Sequence, residues 1–375
     1  MPARRRGATD RGRARDGLSD LDTVGYARGV ARHFARRRLA LSVAVAAVVL
    51  ASVVGTAGQA LGATTYAWPV QSIGDRGTDV AAIQQLLRAA AGTGSSVTVR
   101  SVVVRGIDPT VVPIDGVFGA ATALGVRAFQ TSRGLPRTGI VDAATWSALA
   151  PPIGPASTGD AVAALQRELR EKQSASSVPI DGVFGAATAT AVKAFQAHMA
   201  LAQTGSVDAM TWRLLVWHYE LPRFSSAALC DYSAGNGPAN WGTAETIATV
   251  EAAGRTMVGA GYGRVAVGDV SFELGGPLPG HETHQHGLDA DLRLMRQAND
   301  QCSARTRWSL STYDRAATRA LILAIRAATP GHVKLIYFND PVLVAEGLTT
   351  PLAGHDDHLH VRICEAWHPD PAHRC

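Results

Sequence analysis

Residues 280–294 read GHETHQHGLDADLRL, and this stretch decides the fold of the C-terminal part of the chain. From Leu288 onward aliphatic and polar residues alternate strictly, which predicts a strand that buries one face and presents aspartate and arginine on the other. Residues 355–363, HDDHLHVRI, end in the same alternation, with His358, His360 and Arg362 on the polar face. Two such strands can bring their polar side chains together in one cleft.

These two windows hold six of the twelve histidines of the chain. Zinc binds imidazole nitrogen and carboxylate oxygen at about 2.0–2.2 Å, and a catalytic zinc site uses three protein ligands with a fourth position left to water. The windows therefore predict a catalytic zinc site. Two other interpretations stay open: solvated strand faces without a metal, and a purely structural zinc, although structural sites are usually four-coordinate and rich in cysteine.

The two patterns, Gly-His-x-x-His-Gln-x-Gly-Leu-Asp-x-Asp and His-x-x-His-x-His-Val-Arg, resemble the penicillin-insensitive murein endopeptidase family, a branch of the zinc D-Ala-D-Ala metallopeptidases. Residues 335–341, LIYFNDP, also fit this resemblance, which extends over roughly residues 225–375. It implies cleavage of the amide between D-alanine and meso-diaminopimelate in cross-linked stem peptides. We expect this domain to be α+β, with a small antiparallel sheet flanked by helices.

The resemblance also implies roles for individual residues and one catalytic zinc ion. It makes His284, Asp291 and His360 zinc ligands and His358 the catalytic base, while His281 and His355 line the site. Asp289 is interpreted as a partner that orients an imidazole, or else as a structural strand residue. His286 occupies a position where a variable residue is expected, and the sequence leaves open whether it joins the site.

A duplicated module precedes this domain. Residues 113–149 recur at residues 179–215 with 24 of 37 positions identical, and the first copy carries about 16 extra residues near residues 92–107. Hydrophobic spacing predicts three short helices in each copy, with Asp142 at a helix N-cap. The structural interpretation of the aromatic residues is that they fill a small core in each module: Phe129, Trp146, Phe195 and Trp212.

The repeated pattern Asp-Gly-x-Phe-Gly-x-x-Thr, then Phe-Gln, then Thr-Gly-x-Val-Asp-x-x-Thr-Trp resembles the peptidoglycan-binding domain found on bacterial cell-wall hydrolases. We place the two modules at residues 74–150 and 154–217 and the peptidase domain at residues 225–375. The resemblance implies attachment to peptidoglycan, which would be both the anchor and the polymer substrate.

The charge of the chain is concentrated at its N-terminus. The formal charge is +5, but residues 1–38 hold 11 Arg against 4 Asp, so the remaining 337 residues hold 25 basic and 27 acidic groups. This distribution excludes a broadly basic domain that binds nucleic acid. The apolar residues 39–61 predict a signal peptide or an uncleaved signal anchor within a leader of residues 1–63. We therefore expect an exported protein, with membrane contact only through this leader if it is retained.

The cysteine count agrees with export. The four cysteines are Cys230, Cys302, Cys364 and Cys375, and no two of them form a C-x-x-C pair. An even number in an exported chain predicts two disulfides. Three pairings are possible, and we favour Cys230–Cys302 with Cys364–Cys375.

The leading hypothesis is thus an exported zinc murein endopeptidase held on the wall by two binding modules. A zinc D,D-carboxypeptidase acting on uncross-linked stem peptides is an alternative, because the same ligands permit that reaction. A second alternative is a non-catalytic peptidoglycan-binding protein with a degenerate enzyme fold. Release of free D-alanine from monomers would favour the first alternative, and a metal analysis that finds no zinc would favour the second.

Overall fold

A computed structural model describes residues 67–92, 112–173, 177–233, 238–368 and 370–375. The predicted leader, residues 1–63, lies outside the described residues, as does most of the insertion in the first module. Within the described ranges, no helix is both long enough and apolar enough to cross a membrane.

Each repeat folds into three helices, as the sequence predicts. The helices are α1 (Thr78–Gly92), α2 (Ala120–Ser132) and α3 (Ala143–Leu149) in the first module, and α4 (Asp160–Lys172), α5 (Ala186–His198) and α6 (Ala209–Trp217) in the second. The predicted cap is confirmed, because the Asp142 carboxylate accepts the backbone N–H of Thr145 at 2.8 Å. Asp208 caps α6 in the same way.

The aromatic residues of the repeats form the cores of the modules. Trp146 and Trp212 are fully buried, and each indole N–H donates to a proline carbonyl, at Pro69 and Pro151 respectively. Phe129 and Phe195 are buried with them, which confirms the structural interpretation. Burying the indole stabilises each module, and the N–H is satisfied at the same time.

The two modules pack against each other through α1 and α4. Lys172, in the last turn of α4, is buried at this contact, and its ammonium lies 3.0 Å from the Asp79 carboxylate of α1. Two further buried carboxylates, Glu168 and Glu220, act on this lysine. A buried ammonium is stable only with such partners.

The C-terminal part of the chain is an α+β domain. Its elements are β1 (Leu229–Asp231), α7 (Ala244–Gly259), β2 (Val265–Val267), β3 (Asp289–Arg293), α8 (Arg315–Ala328), β4 (Val333–Tyr337), α9 (Pro341–Ala345) and β5 (His358–Ile363), followed by a 3₁₀ turn at Pro371–His373. Leu288, Leu292 and the other aliphatic positions of the two sequence windows are buried, as the alternation predicts.

The sheet is mixed, and in this respect the prediction of an antiparallel sheet was incomplete. The strand order is β1-β2-β3-β5-β4, and β1 pairs with β2 in parallel while every other pair is antiparallel. The parallel pair arises because α7 connects β1 to β2 as a crossover helix. The functional strands β3 and β5 lie side by side near the centre of the sheet.

Both favoured disulfides are present. Cys230, on β1, pairs with Cys302, and Cys364, directly after β5, pairs with Cys375. The first bond ties the edge of the sheet to the loop that follows β3, and the second closes the C-terminal segment onto the end of β5. Each constrains the unfolded chain.

Candidate metal centre

The centre is built on the pairing of β3 with β5. In this antiparallel ladder Asp291 lies opposite His360, Asp289 opposite Arg362, and Arg293 opposite His358. Asp291 and His360 are a directly opposed pair, so their side chains rise from neighbouring positions on the same face of the sheet. The register therefore joins the two sequence windows at this point.

His284 reaches the same place from the loop before β3. Its side chain is fully buried, and its Nδ1 lies 2.9 Å from the carbonyl oxygen of Val270. Because a carbonyl oxygen only accepts, Nδ1 donates and Nε2 is left with a lone pair. Nε2 lies 3.1 Å from Nδ1 of His360 and 3.3 Å from Oδ1 of Asp291.

His360 is fixed in the complementary orientation. Its Nε2 donates to Oδ1 of Asp289 at 2.9 Å, so that Nδ1 faces Asp291 Oδ1 at 3.2 Å. Asp289 is fully buried and also accepts the Arg362 Nε–H at 2.7 Å. A carboxylate that holds the outward nitrogen of an imidazole is the common partner of a metal-binding histidine.

The donor set fits a divalent cation. Oδ1 of Asp291 is buried and makes no hydrogen bond, although it faces the two imidazole nitrogens of His284 and His360. The three atoms are 3.1–3.3 Å apart, close to the spacing of about 3.3 Å between donors held tetrahedrally by bonds of about 2.0 Å. Two nitrogens and one carboxylate oxygen are ligands that zinc accepts.

The electrostatics of the site favour positive charge between these groups. Although burial opposes it, His284 and His360 hold the pKa of Asp291 well below its usual range. Burial also acts against the charged form of His360, but its contacts with Asp289 and Asp291 raise the pKa of this imidazole to about 9. At neutral pH the His360 imidazole thus holds an extra proton unless a metal ion displaces it.

Asp289 keeps its charge despite burial. Burial alone would raise the pKa of Asp289, but hydrogen bonds from His360 and Arg362 outweigh it, and the net shift is downward. The carboxylate therefore stays ionised at neutral pH and can hold the His360 ring in place. This arrangement agrees with the interpretation of Asp289 as the partner that orients an imidazole.

His281 lies at the edge of the same cluster. Its Nε2 is 3.0 Å from Oδ2 of Asp269, and its Nδ1 is 3.8 Å from Oδ2 of Asp291. The hydrogen bond to Asp269 is the main cause that raises the pKa of His281. Together with His284 and Asp291, His281 forms a group whose donor atoms all lie within 4.8 Å of one another. It is thus a further possible donor as well as a residue that lines the site.

His358 and His355 form the open side of the cluster. His358 Nδ1 lies 3.0 Å from the Asp357 carboxylate, and its Nε2 lies 3.8 Å from Asp291 Oδ1. The His358 side chain is 23% exposed, so it lies between the buried carboxylate and solvent. The His355 ring is 4.9 Å from the His358 ring, and burial lowers the pKa of His355.

His286 does not join this cluster. Its ring lies 4.4 Å from that of His373 and 6.1 Å from that of His368, in the C-terminal segment closed by the second disulfide. The strict alternation of the strand begins only at Leu288, so the sequence could not fix the direction in which His286 points.

Two residues of the site were not singled out by the sequence. Asp269 follows β2 and holds His281, and Tyr337, at the end of β4, lies with its ring 5.4 Å from His355 and 5.7 Å from His360. Tyr337 belongs to the LIYFNDP segment and is paired with His360 across β4 and β5. The resemblance of that segment to the family was the sequence signal that could have identified it.

Known proteins match both parts of the chain. Residues 76–149 and 158–215 match the family described as putative peptidoglycan binding domain, and residues 236–339 match that described as penicillin-insensitive murein endopeptidase. The second match includes the first histidine window and ends before the second.

A penicillin-insensitive murein endopeptidase of Haemophilus influenzae is 29% identical over an alignment of 164 residues, which covers 35% of this chain and 57% of that relative. The chain thus matches a little over half the length of the relative. It carries two segments that match the putative peptidoglycan binding domain, followed by one that matches the penicillin-insensitive murein endopeptidase family.

Proposed function

We propose that the protein is a zinc-dependent murein endopeptidase that hydrolyses the D-alanyl-meso-diaminopimelyl amide of cross-linked peptidoglycan. The observation that carries this proposal is the approach of His284 Nε2, His360 Nδ1 and Asp291 Oδ1 to within 3.1–3.3 Å of one another. The family match and the name of the Haemophilus influenzae relative support the substrate class.

His284, Asp291 and His360 would hold one zinc ion. Zinc bound there would polarise the carbonyl of the scissile amide and make water a stronger nucleophile near neutral pH. Asp289 keeps the His360 ring oriented, and Val270 does the same for His284 through its carbonyl oxygen. The protein thus supplies a preformed set of donors that loses little freedom when the ion binds.

His358 would act as the general base. Because a carboxylate only accepts hydrogen bonds, the contact of Nδ1 with Asp357 keeps the proton on that nitrogen and leaves Nε2 free to take one. Nε2 lies 3.8 Å from Asp291 Oδ1, within reach of a water molecule beside the ligands. His358 would accept the proton of the attacking water and pass it to the leaving amine.

The two N-terminal modules would hold the enzyme on its insoluble substrate. Their match to a peptidoglycan-binding family supports this role. Tethering raises the effective concentration of the peptidase near the cross-links without any new contact at the active site. Action on the wall requires export, which the predicted leader of residues 1–63 would provide.

Digestion of purified sacculi tests the proposal. We expect incubation with the full-length protein and zinc to convert cross-linked muropeptide dimers into monomers, as measured by liquid chromatography and mass spectrometry. Dimers that persist at their initial level would contradict an endopeptidase. Release of D-alanine from pentapeptide monomers, with dimers unchanged, would instead assign the carboxypeptidase reaction.

A further inference from the structure

A second cluster of metal-binding side chains lies where the second module meets the peptidase domain. It consists of His198, the last residue of α5, His218, which follows α6, and Glu273, in the segment between β2 and β3. Nε2 of His198 and Nε2 of His218 lie 3.1 Å and 3.3 Å from the same oxygen, Oε1 of Glu273. Their donor atoms all lie within 4.8 Å of one another.

His218 presents to this cluster a buried ring nitrogen that has no hydrogen-bond partner. Its Nδ1 lies 2.6 Å from the carbonyl oxygen of Tyr219, which can only accept, so Nδ1 carries the proton and Nε2 of the neutral ring presents a lone pair. The side chain is 1% exposed, and Nε2 makes no hydrogen bond. A buried lone pair therefore points at a carboxylate oxygen, and both atoms need a positive partner between them.

The ring of His218 is held firmly in this orientation. Its edge packs against Trp241 of the peptidase domain and Phe195 of α5, with ring centroids 5.5 Å and 5.9 Å away. A backbone carbonyl that fixes Nδ1–H while Nε2 faces inward is the arrangement that orients histidine ligands of metals. His218 is thus prepared to coordinate an ion through Nε2.

Glu273 and His198 complete the donor set. Glu273 contributes Oε1, which faces the Nε2 atoms of both imidazoles. His198 is 41% exposed and lines, with Glu273, a cavity of about 790 Å³. Two imidazole nitrogens and one carboxylate oxygen leave a fourth position, which water from this cavity can reach.

We propose that His198, His218 and Glu273 bind a second zinc ion, which fastens the second peptidoglycan-binding module to the peptidase domain. Zinc is the ion that suits two imidazoles and one carboxylate in a four-coordinate site with water. Its ligands come from both parts of the chain, so the ion would fix the orientation of the module relative to the catalytic cleft.

Zinc stoichiometry tests this site directly. The full-length protein is equilibrated with buffered ZnCl₂, and bound zinc is measured by elemental analysis for the parent, for Glu273→Gln and for His198→Asn. We expect each variant to bind one zinc fewer than the parent. Glu346→Gln, which alters an exposed carboxylate paired with Arg319, should leave the count unchanged.

The zinc lost in Glu273→Gln does not depend on whether the first cluster binds zinc. Asp291→Asn removes a donor of that cluster alone, so it should lose one zinc while the second site remains filled. If the first cluster bound no zinc, Glu273→Gln would still lower the count of the parent by one. A parent and a Glu273→Gln protein with equal zinc content would overturn the proposal.

A second measurement keeps the proposal testable if one variant folds poorly. Hydrogen exchange of the parent should slow in α6 and in the segment around Glu273 when ZnCl₂ is added. His198→Asn alters a half-exposed side chain, and its exchange in these segments should not respond to zinc. The same zinc-dependent protection in the variant as in the parent would contradict the proposed second zinc site.

Discussion

Asp289 Oδ1 accepts the Nε2–H of His360 at 2.9 Å, and this hydrogen bond determines which nitrogen of His360 faces Asp291. The same oxygen accepts the Nε–H of Arg362, so a buried carboxylate supports the ring from behind the site. The two partners keep the pKa of Asp289 below its usual range, which makes it a strong and permanent acceptor.

Asp289→Asn should weaken zinc binding without removing a zinc ligand. An amide is a weaker acceptor than a carboxylate, so the His360 ring is held less firmly, and we expect zinc affinity to fall about 10- to 100-fold. Competition with a chromophoric chelator measures this affinity. Unchanged affinity in a variant with a parental circular dichroism spectrum would refute the role of Asp289.

Substitution of the two β5 histidines should separate proton transfer from metal binding. His358→Ala should retain zinc and lower kcat/KM about 100- to 10,000-fold, because it removes only the proposed general base. His360→Ala should lose both zinc and hydrolysis. His286→Ala, in the separate histidine cluster near the C-terminus, serves as the matched control and should keep both. Full hydrolysis by His358→Ala would show that another group is the base.

Lys172→Met should destabilise the contact between the two modules. The substitution leaves the buried Asp79 carboxylate, 3.0 Å away in the parent, without its cation, and such changes cost about 3–5 kcal/mol. The exposed Lys193 of α5 provides the matched control, and Lys193→Met should change stability by less than about 0.5 kcal/mol. Urea unfolding followed by tryptophan fluorescence compares the two, and equal midpoints would contradict the prediction.

The contact between the first module and the peptidase domain should weaken as the pH rises. Here Asp75 faces His332 and Glu245, and Glu365 lies close enough to interact with all three. Burial is the main cause that raises the pKa of Asp75 to about 7 and that of Glu365 to about 8. Glu245 raises the pKa of His332, whose contribution to stability is therefore also lost as the pH rises.

The direction of this change in stability with pH follows from proton binding. The folded protein holds these protons more tightly than the unfolded chain, so the free energy of unfolding falls from about pH 4 until the raised pKa values are passed near pH 8. Asp75→Asn imitates the protonated carboxyl and should show a smaller fall. Unfolding in urea at pH 5 and pH 8 measures both proteins. Parallel pH profiles would contradict the role of Asp75.

The alternation in the two histidine windows was sufficient to predict which faces of β3 and β5 are buried. It could not predict their register, which depends on backbone pairing and brings Asp291 opposite His360. The parallel pair of β1 and β2 was missed because each strand has only three residues, too few for a periodic signal. The helices of the repeats were easier to predict, because two similar copies show the same helices and caps.

The remaining site residues could not be predicted from local sequence patterns. Asp269 lies beside Asp291 because backbone hydrogen bonds continue the pairing of β2 with β3, and His281 reaches it from the loop before β3. No sequence spacing indicates this contact. The group of His198, His218 and Glu273 assembles where the second module meets the peptidase domain, so none of its members lies in a motif. Such long-range contacts follow from packing and not from periodicity.

Cleavage of a defined substrate tests the central proposal most directly. The full-length protein is stripped of metal with a chelator and incubated with a soluble muropeptide dimer joined by one D-alanyl-meso-diaminopimelyl amide, with and without added ZnCl₂. We predict that the dimer stays intact without zinc and that zinc restores its cleavage into monomers with a new free amine on diaminopimelate. Cleavage that persists in the metal-free protein, or a dimer that stays intact with zinc present, would contradict the account.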